Sequence, residues 1–269
     1  MIIDLSLPLS PIGPEHDQPK IGYTDHKKGA FFLGLAGLLY KKEGVLKRLF
    51  LWLIGKYRIK VNEWPEGIGL AFEEVKMDTH AGTHLDAPWH FGPLCEGKKA
   101  KTIDEIPLEW CFSDGVVLDL RHKEEGSLIM PKDIEDSLKK INYEIKAYDI
   151  VLIMTGADKL HPDKRYLKDY PGMSREATLW LVEKGVKIIG TDAVGFDRGW
   201  GVMFSEYIEK RDKNLLWPAH FAGREKEYCH IEKMANLDKI PKPFGFKIAC
   251  FPVKVEKASA GWCRAVAII

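Results

Sequence analysis

"DTHAGTHLDAPWHF", residues 78–91, holds three of the chain's nine histidines and two aspartates within fourteen positions. The spacing is His80-x3-His84-x-Asp86-x3-His90, and all four positions carry even numbers. In extended backbone, residues two apart face the same way, so these four side chains share one side. A helix does worse: at about 100° per residue, Asp86 points far from His80. Gly82 and Pro88 also argue against a helix interior. The segment therefore reads as extended backbone or loop that aims His80, His84, Asp86 and His90 into one pocket.

Imidazole and carboxylate together suit Zn²⁺, Mn²⁺ or Fe²⁺. Two or three histidines plus a carboxylate, with one position left for water, is catalytic-site chemistry; a structural zinc site would recruit cysteines. The five cysteines, at 95, 111, 229, 250 and 263, are odd in number, widely spaced and without a C-x-x-C. That excludes a disulfide framework and a cysteine-type zinc site, fits a reducing cytosol, and leaves the thiols buried and inert. Candidate additions to the cluster are His220 in "LWPAHFAG" and Glu232 in "CHIEKMANL". His16, His26, His122, His161 and His230 are unassigned. Thr83 and Asp78 are candidates for orienting ligand histidines and read equally as strand-end residues. Asp192 and Asp197 in "GTDAVGFD" are candidates to support the site, Asp192 reading as readily as a buried structural carboxylate.

Outside the cluster the chain is ordinary for a globular protein. Its 269 residues fit one large domain or two small ones, with 45% apolar and 29% charged residues. Lysine plus arginine number 40 against 39 acids, a net charge of +1, which lacks the basic excess of a nucleic-acid or anionic-membrane binder. The N-terminus has no basic n-region and does not read as a signal peptide. The most apolar stretch, "FFLGLAGLLYKKEGVLKRLFLWLIGKY" (31–57), is interrupted by Lys41, Lys42, Glu43, Lys47 and Arg48. No uncharged run in it approaches the roughly 20 residues of a spanning helix. From Val45 to Ile54 the apolar residues go nearly all round, so a helix there is expected to be buried or covered, as a packing helix or oligomer contact. A lid or a membrane-surface anchor are the alternatives.

Residues 1–9, "GLAFEEVKMDTH", "GVVLDLR" and "YDIVLIMTG" read as strands. "MPKDIEDSLKKI" reads as a helix with Pro131 in its first turn. "MSREATLWLVEKGVKIIGTD" is a helix and then a strand, with Ser174 as N-cap and Gly185 at the helix end. "HIEKMANLDKI" reads as a short helix, and "FGFKIACFPVKVE" and "GWCRAVAII" as closing strands. With no repeat and no linker, a single α/β domain is the simplest organisation.

Taken as H-A-G-T-H-L-D-A-P-W-H-F, the cluster resembles the signature of the metal-dependent cyclase family, which includes bacterial kynurenine formamidases and isatin hydrolases. "IIDLSLPLS", "GMSREATLWLVEKGVKIIGTDAVGFD", "AHFAGREKEYCHIEKMANLDKI" and "GWCRAVAII" extend the resemblance over most of the chain. It implies a compact α/β domain of the swivelling β/β/α type over residues 1–269, with a mixed sheet and a few flanking helices; the longer, apolar segment at about 25–61 departs from the family's pattern as an insertion. It implies assembly as a homodimer or homotetramer. By resemblance, His80, His84 and Asp86 bind metal, and His220 and Glu232, twelve residues apart, complete a one- or two-ion site. His90 matches the family's general acid or base. Zn²⁺ is the expected ion, with Mn²⁺ possible, and the expected partner is a small-molecule substrate.

The function so implied is hydrolysis of an aryl formamide, amide or lactam C–N bond by metal-activated water. Two rivals stand beside it: a dehydrating cyclase or lyase on the same residues, and a non-catalytic metal-binding protein. Substrate identity is expected to lie with the apolar insertion.

Overall fold

The short apolar runs bounded by turn residues become the strands of one sheet. In a computed structural model of the chain, which describes residues 1–16, 18–36 and 44–269, two compact units form. One comprises Met1–Pro19 with Met77–Ile269, the other Lys20–Lys76.

The larger unit is built on a nine-stranded sheet. Its strands are β1 (Ile2–Asp4), β2 (His84–Asp86), β3 (Phe112–Asp119), β4 (Ile150–Met154) and β5 (Ile188–Thr191). They continue with β6 (Cys229–Glu232), β7 (Phe244–Ala249), β8 (Ala260–Trp262) and β9 (Val266–Ile268). The spatial order is β1-β9-β7-β3-β4-β5-β6-β2-β8. The central strands β3 to β6 run parallel, and the strands on either side pair antiparallel. This is the mixed sheet of an α/β fold, as expected.

Both faces of the parallel centre are apolar, which is why these strands read as unbroken hydrophobic runs. Ile150 and Leu152 face one core with Leu85, Ile188 and Ile231, while Val151 and Ile153 face a second with Val116, Leu118 and Ile189. Helices cover that second face: α1 (Pro88–Phe91), α2 (Pro131–Ile141) and α3 (Arg175–Glu183) supply Phe91, Ile134, Leu138, Ala177 and Leu181, and after α4 (Trp200–Lys210), α5 (Pro218–Ala222) supplies Ala219. Pro131 opens α2 and left-handed Asn142 closes it. Ser174 caps α3 by accepting from Ala177 N at 3.0 Å.

Five expectations need correction. "HIEKMANLDKI" is not a helix: its first three residues lie in β6, and only a 3₁₀ turn, Leu237–Lys239, follows. Lys233 and Asn236 sit at φ +58° and +61°, where a right-handed helix cannot continue. "GWCRAVAII" is two strands, β8 and β9, and the N-terminal strand is only Ile2–Asp4. "GLAFEEVKMDTH" stops being a strand at Lys76, where it pairs with Lys20–Thr24 in the smaller unit instead of running into the histidines. The helix expected within Val45–Ile54 forms at Val45–Leu53, but it is not buried: Leu46 is 84% exposed and Val45, Phe50, Leu53 and Ile54 are exposed with it. Apolar residues spread around its circumference exceed what one packing partner covers.

In the smaller unit a second helix, His26–Leu35, is capped by Asp25 accepting from Lys28 N at 2.9 Å. A Cβ on Gly29 would stand 1.8 Å from Leu70 O, so glycine is required for that close approach. Residues 37–43 of the apolar stretch lie outside the described residues. Among the described residues no helix is long and apolar enough to cross a membrane.

Candidate metal centre

Strand alternation builds the centre. β2 and β6 are antiparallel neighbours in which Asp86 faces His230, Leu85 faces Ile231 and His84 faces Glu232. Directly opposed side chains on one face of such a pair stand about 5 Å apart. His84, Asp86, His230 and Glu232 therefore form one cross-strand block, while Leu85 and Ile231 enter the apolar core behind it. All four are buried.

The remaining histidines arrive by other routes. His80 lies in the turn before β2, its backbone N–H donating to the Asp78 carboxylate at 2.9 Å. Gly82, at φ +61°, turns the chain into the strand. His90 sits on α1, which Pro88 opens, and His220 on α5. The single extended run expected over residues 80–90 thus holds only for His84 and Asp86. Proline's fixed φ, unfavourable inside a helix, is suited to a helix's first position, and it starts one here.

Asp86 is the hub. Its Oδ1 lies 2.8 Å from His80 Nδ1 and 3.2 Å from His84 Nε2. Its Oδ2 lies 3.0 Å from His230 Nε2, 3.7 Å from His90 Nε2 and 4.0 Å from His220 Nε2. Glu232 Oε1 is 3.4 Å from His230 Nε2 and 3.6 Å from His220 Nε2, and Oε2 is 3.7 Å from His84 Nε2. Among the described residues, two groups have the composition and closeness to hold a cation: His80, His84 and Asp86, and Asp86, His220, His230 and Glu232.

The far sides of the rings are fixed. His84 Nδ1 contacts the Gly82 carbonyl at 2.8 Å, and His220 Nδ1 contacts Asp197 Oδ2 at 2.5 Å. Both partners only accept, so Nδ1 carries the proton and the Nε2 lone pair faces the cluster. His230 Nδ1 meets the Tyr228 hydroxyl at 3.3 Å, and that hydroxyl donates to Ala219 O at 2.8 Å. His80 Nε2 is 3.0 Å from Ser259 Oγ.

His84 Nε2 is buried without a hydrogen-bond partner, and Asp86 Oδ1, also buried, has His80 Nδ1 at 2.8 Å. A lone pair aimed at a carboxylate oxygen across 3.2 Å is repulsive, and leaving the His84 nitrogen bare is costly. A divalent cation between them removes both penalties, so the donor set fits a metal ion.

The electrostatics agree. Burial pushes Asp86 up, but the surrounding imidazoles, His84 and His90 first, outweigh it and hold the carboxyl well below its usual range. Burial likewise opposes the shift of Glu232, which His230 brings down to about 2, and of His230, which Asp86 and Glu232 raise to about 9. A cation takes the place of such protons. His90 behaves differently: burial, reinforced by His220 and His80 and opposed by Asp86, lowers it to about 4. Its imidazole is neutral at pH 7.

A cavity of about 410 Å³ opens onto the cluster. His80, His90, His220 and Glu232 form its polar side, and Trp200, Trp217 and Phe221 its apolar side. His16 also lines it, stacked on Trp200 at 4.1 Å.

The sequence candidates His80, His84, Asp86, His90, His220 and Glu232 are therefore all brought together. His230, which sequence spacing does not single out, also belongs to the cluster; its signal is the Cys229-His230-Ile231-Glu232 alternation, which places it beside Glu232 on a strand. Asp197 supports the site, holding the His220 ring and accepting from Ala219 N at 2.7 Å and His220 N at 3.1 Å. Asp192 is structural, accepting from Thr155 N, Thr155 Oγ1 and Gly156 N, and burial raises it to about 6. Neither Thr83 nor Asp78 touches a ligand ring; Thr83 Oγ1 donates to Lys233 O at 2.5 Å and accepts from Leu7 N at 2.8 Å.

Gly172 backs this arrangement. A Cβ there would lie 2.1 Å from Arg198 N and 2.3 Å from Asp197 C, backbone that cannot give way cheaply. Gly172→Ala is expected to cost about 2 kcal/mol or more of stability, measured as a fall in the urea midpoint at unchanged m.

Residues 3–198 match a family model described as "Putative cyclase". The chain belongs to this cyclase family. The matched span contains His80, His84, Asp86 and His90, while His220, His230 and Glu232 lie beyond it. Among cyclase-family relatives, the kynurenine formamidase of Erythrobacter litoralis (strain HTCC2594) is 27% identical over 201 residues, 75% of this chain and 78% of that protein. The isatin hydrolase of Roseibium aggregatum is 23% identical over 220 residues, 78% of this chain and 80% of that protein. The solved isatin hydrolase A from Ralstonia solanacearum superposes with a TM-score of 0.72 at 22% identity, covering 100% of this chain and 92% of that one. An isatin hydrolase bound to the product analogue thioisatinate gives 0.70 at 21% identity, with the same coverage. These structures share the cyclase-family fold with this chain.

Proposed function

We propose that this cyclase-family protein is a metal-dependent hydrolase of a non-peptide C–N bond, in an aryl formamide, amide or lactam. The observation that carries the reading is the bare, buried His84 Nε2 facing Asp86 Oδ1 at 3.2 Å, inside a cluster open to a cavity of about 410 Å³. The kynurenine formamidase and isatin hydrolase among its relatives supply the reaction class.

In this reading His80, His84 and Asp86 would hold one ion and Asp86, His220, His230 and Glu232 would hold a second, with Zn²⁺ or Mn²⁺ suited to the donors. A bound divalent ion lowers the pKa of water and polarises a carbonyl oxygen. His90, neutral and with its side chain 33% exposed at the cavity wall, accepts a proton from the attacking water and delivers it to the leaving nitrogen. One water is consumed: the acyl carbon gains hydroxyl, the C–N bond breaks, and the nitrogen gains hydrogen. Trp200, Trp217 and Phe221 bind the planar part of the substrate and keep bulk water out.

Incubating the protein with N-formylkynurenine and with isatin, under mass-spectrometric detection, tests this. Products one water heavier in total than the substrate support hydrolysis; loss of water from a substrate supports the dehydrating alternative. Asp197→Asn weakens the acceptor that holds the His220 ring, and metal affinity is expected to fall about 10–100-fold in a chelator competition.

A further inference from the structure

One ion pair joins the segments that carry the ligands. Lys233 directly follows Glu232 at the end of β6, and it is 4% exposed. Its ammonium donates to the Glu15 carboxylate and, at 2.8 Å, to the carbonyl of His80. Glu15 in turn accepts from Gly82 N at 2.9 Å. The Lys233 carbonyl accepts from the Thr83 hydroxyl at 2.5 Å, and its N–H donates to Ala193 O at 2.9 Å. Lys233 holds a left-handed backbone, φ +58°, a conformation that persists in a non-glycine residue when its surroundings fix it.

His84, Asp86, His230 and Glu232 are placed by the β2–β6 ladder. His80 has no ladder: its backbone is held by Asp78 and Lys233, and its ring by Ser259 and Asp86. We infer that Lys233 and Glu15 are positioning residues, a latch that fixes the His80–Gly82 turn against β6 and so completes the half-site on the Oδ1 side of Asp86. The pair is neutral as a whole, so it sets position and leaves the charge of the site unchanged. The ammonium's three donors suit the task, since two hold separate segments at once. The inference rests on the metal-centre reading above.

The test is the Glu15→Gln/Lys233→Met double variant, which removes both charges and strands neither. Zn²⁺ affinity is measured by competition with a chromophoric chelator, alongside thermal unfolding of the metal-free protein. The expected result is a 10–100-fold loss of affinity for one ion, the other binding as in wild type, with an unchanged metal-free Tm. Lys233→Arg, which keeps the charge and the donors, is expected to recover part of the affinity. If the double variant does not fold, Glu15→Gln alone is read by the same criterion. Wild-type affinity in a folded variant, or uniform weakening with a lowered metal-free Tm, overturns the latch alone. Failure of the wild type to take up Zn²⁺ overturns the metal-centre reading with it.

Discussion

Asp86→Asn is expected to empty both half-sites of metal and to lower kcat/KM by about ten-thousandfold, roughly 5.5 kcal/mol of transition-state stabilisation. Each carboxylate oxygen of Asp86 faces its own set of imidazole nitrogens, His80 and His84 at Oδ1, His230 and His220 at Oδ2. Removing the charge would therefore damage both candidate ion sites at once, since Asp86 is the residue that the two groups share. Asparagine keeps the shape, and its amide can donate to the imidazole lone pair left bare in the native cluster. The fold is accordingly expected to survive, so metal loss is not a by-product of unfolding. Elemental analysis beside circular dichroism checks this: a folded variant that retains its full metal complement contradicts the role of Asp86.

His90→Ala is expected to show the opposite pattern, retaining metal while kcat falls about 10²–10³-fold. His90 stands 3.7 Å from Asp86 Oδ2, yet it belongs to neither group of possible ligands, and its side chain is 33% exposed at the cavity wall. Burial lowers it to about 4, so it is expected to enter the reaction as a proton acceptor and not, as its ordinary pKa suggests, as a half-protonated imidazole. Steady-state kinetics with metal quantitation decides the matter. Undiminished turnover in His90→Ala removes the acid–base role, and loss of metal reassigns the residue as a ligand.

The two pairs of strand residues were legible in the sequence to different degrees. His84-x-Asp86 announces itself because alternation places both on one side, and the surrounding histidines mark the segment as unusual. His230-x-Glu232 carries the same alternation, but Lys233 to Lys239 follows with helix-forming residues, which masks a four-residue strand. Backbone at positive φ, as at Lys233 and Asn236, has no strong signature in residues other than glycine. The parallel centre was readable because strands buried on both faces appear as continuous apolar runs. The Asp197–His220 bond, the Glu15–Lys233 pair and the Ser259 contact were not readable, since they join positions 23, 218 and 179 residues apart and have no local pattern. The helix at Val45–Leu53 shows the converse limit: its type was predictable, but its exposure depends on what surrounds it, which composition does not encode.

The central claim is that this cluster hydrolyses a C–N bond with a bound divalent ion. Its most direct test is turnover of N-formylkynurenine and isatin by one protein sample, first stripped with a chelator and then reloaded with Zn²⁺ or Mn²⁺. The account predicts no hydrolysis in the stripped sample and its return on reloading, in proportion to the ion bound. Hydrolysis that persists at full rate after the metal is gone would contradict it.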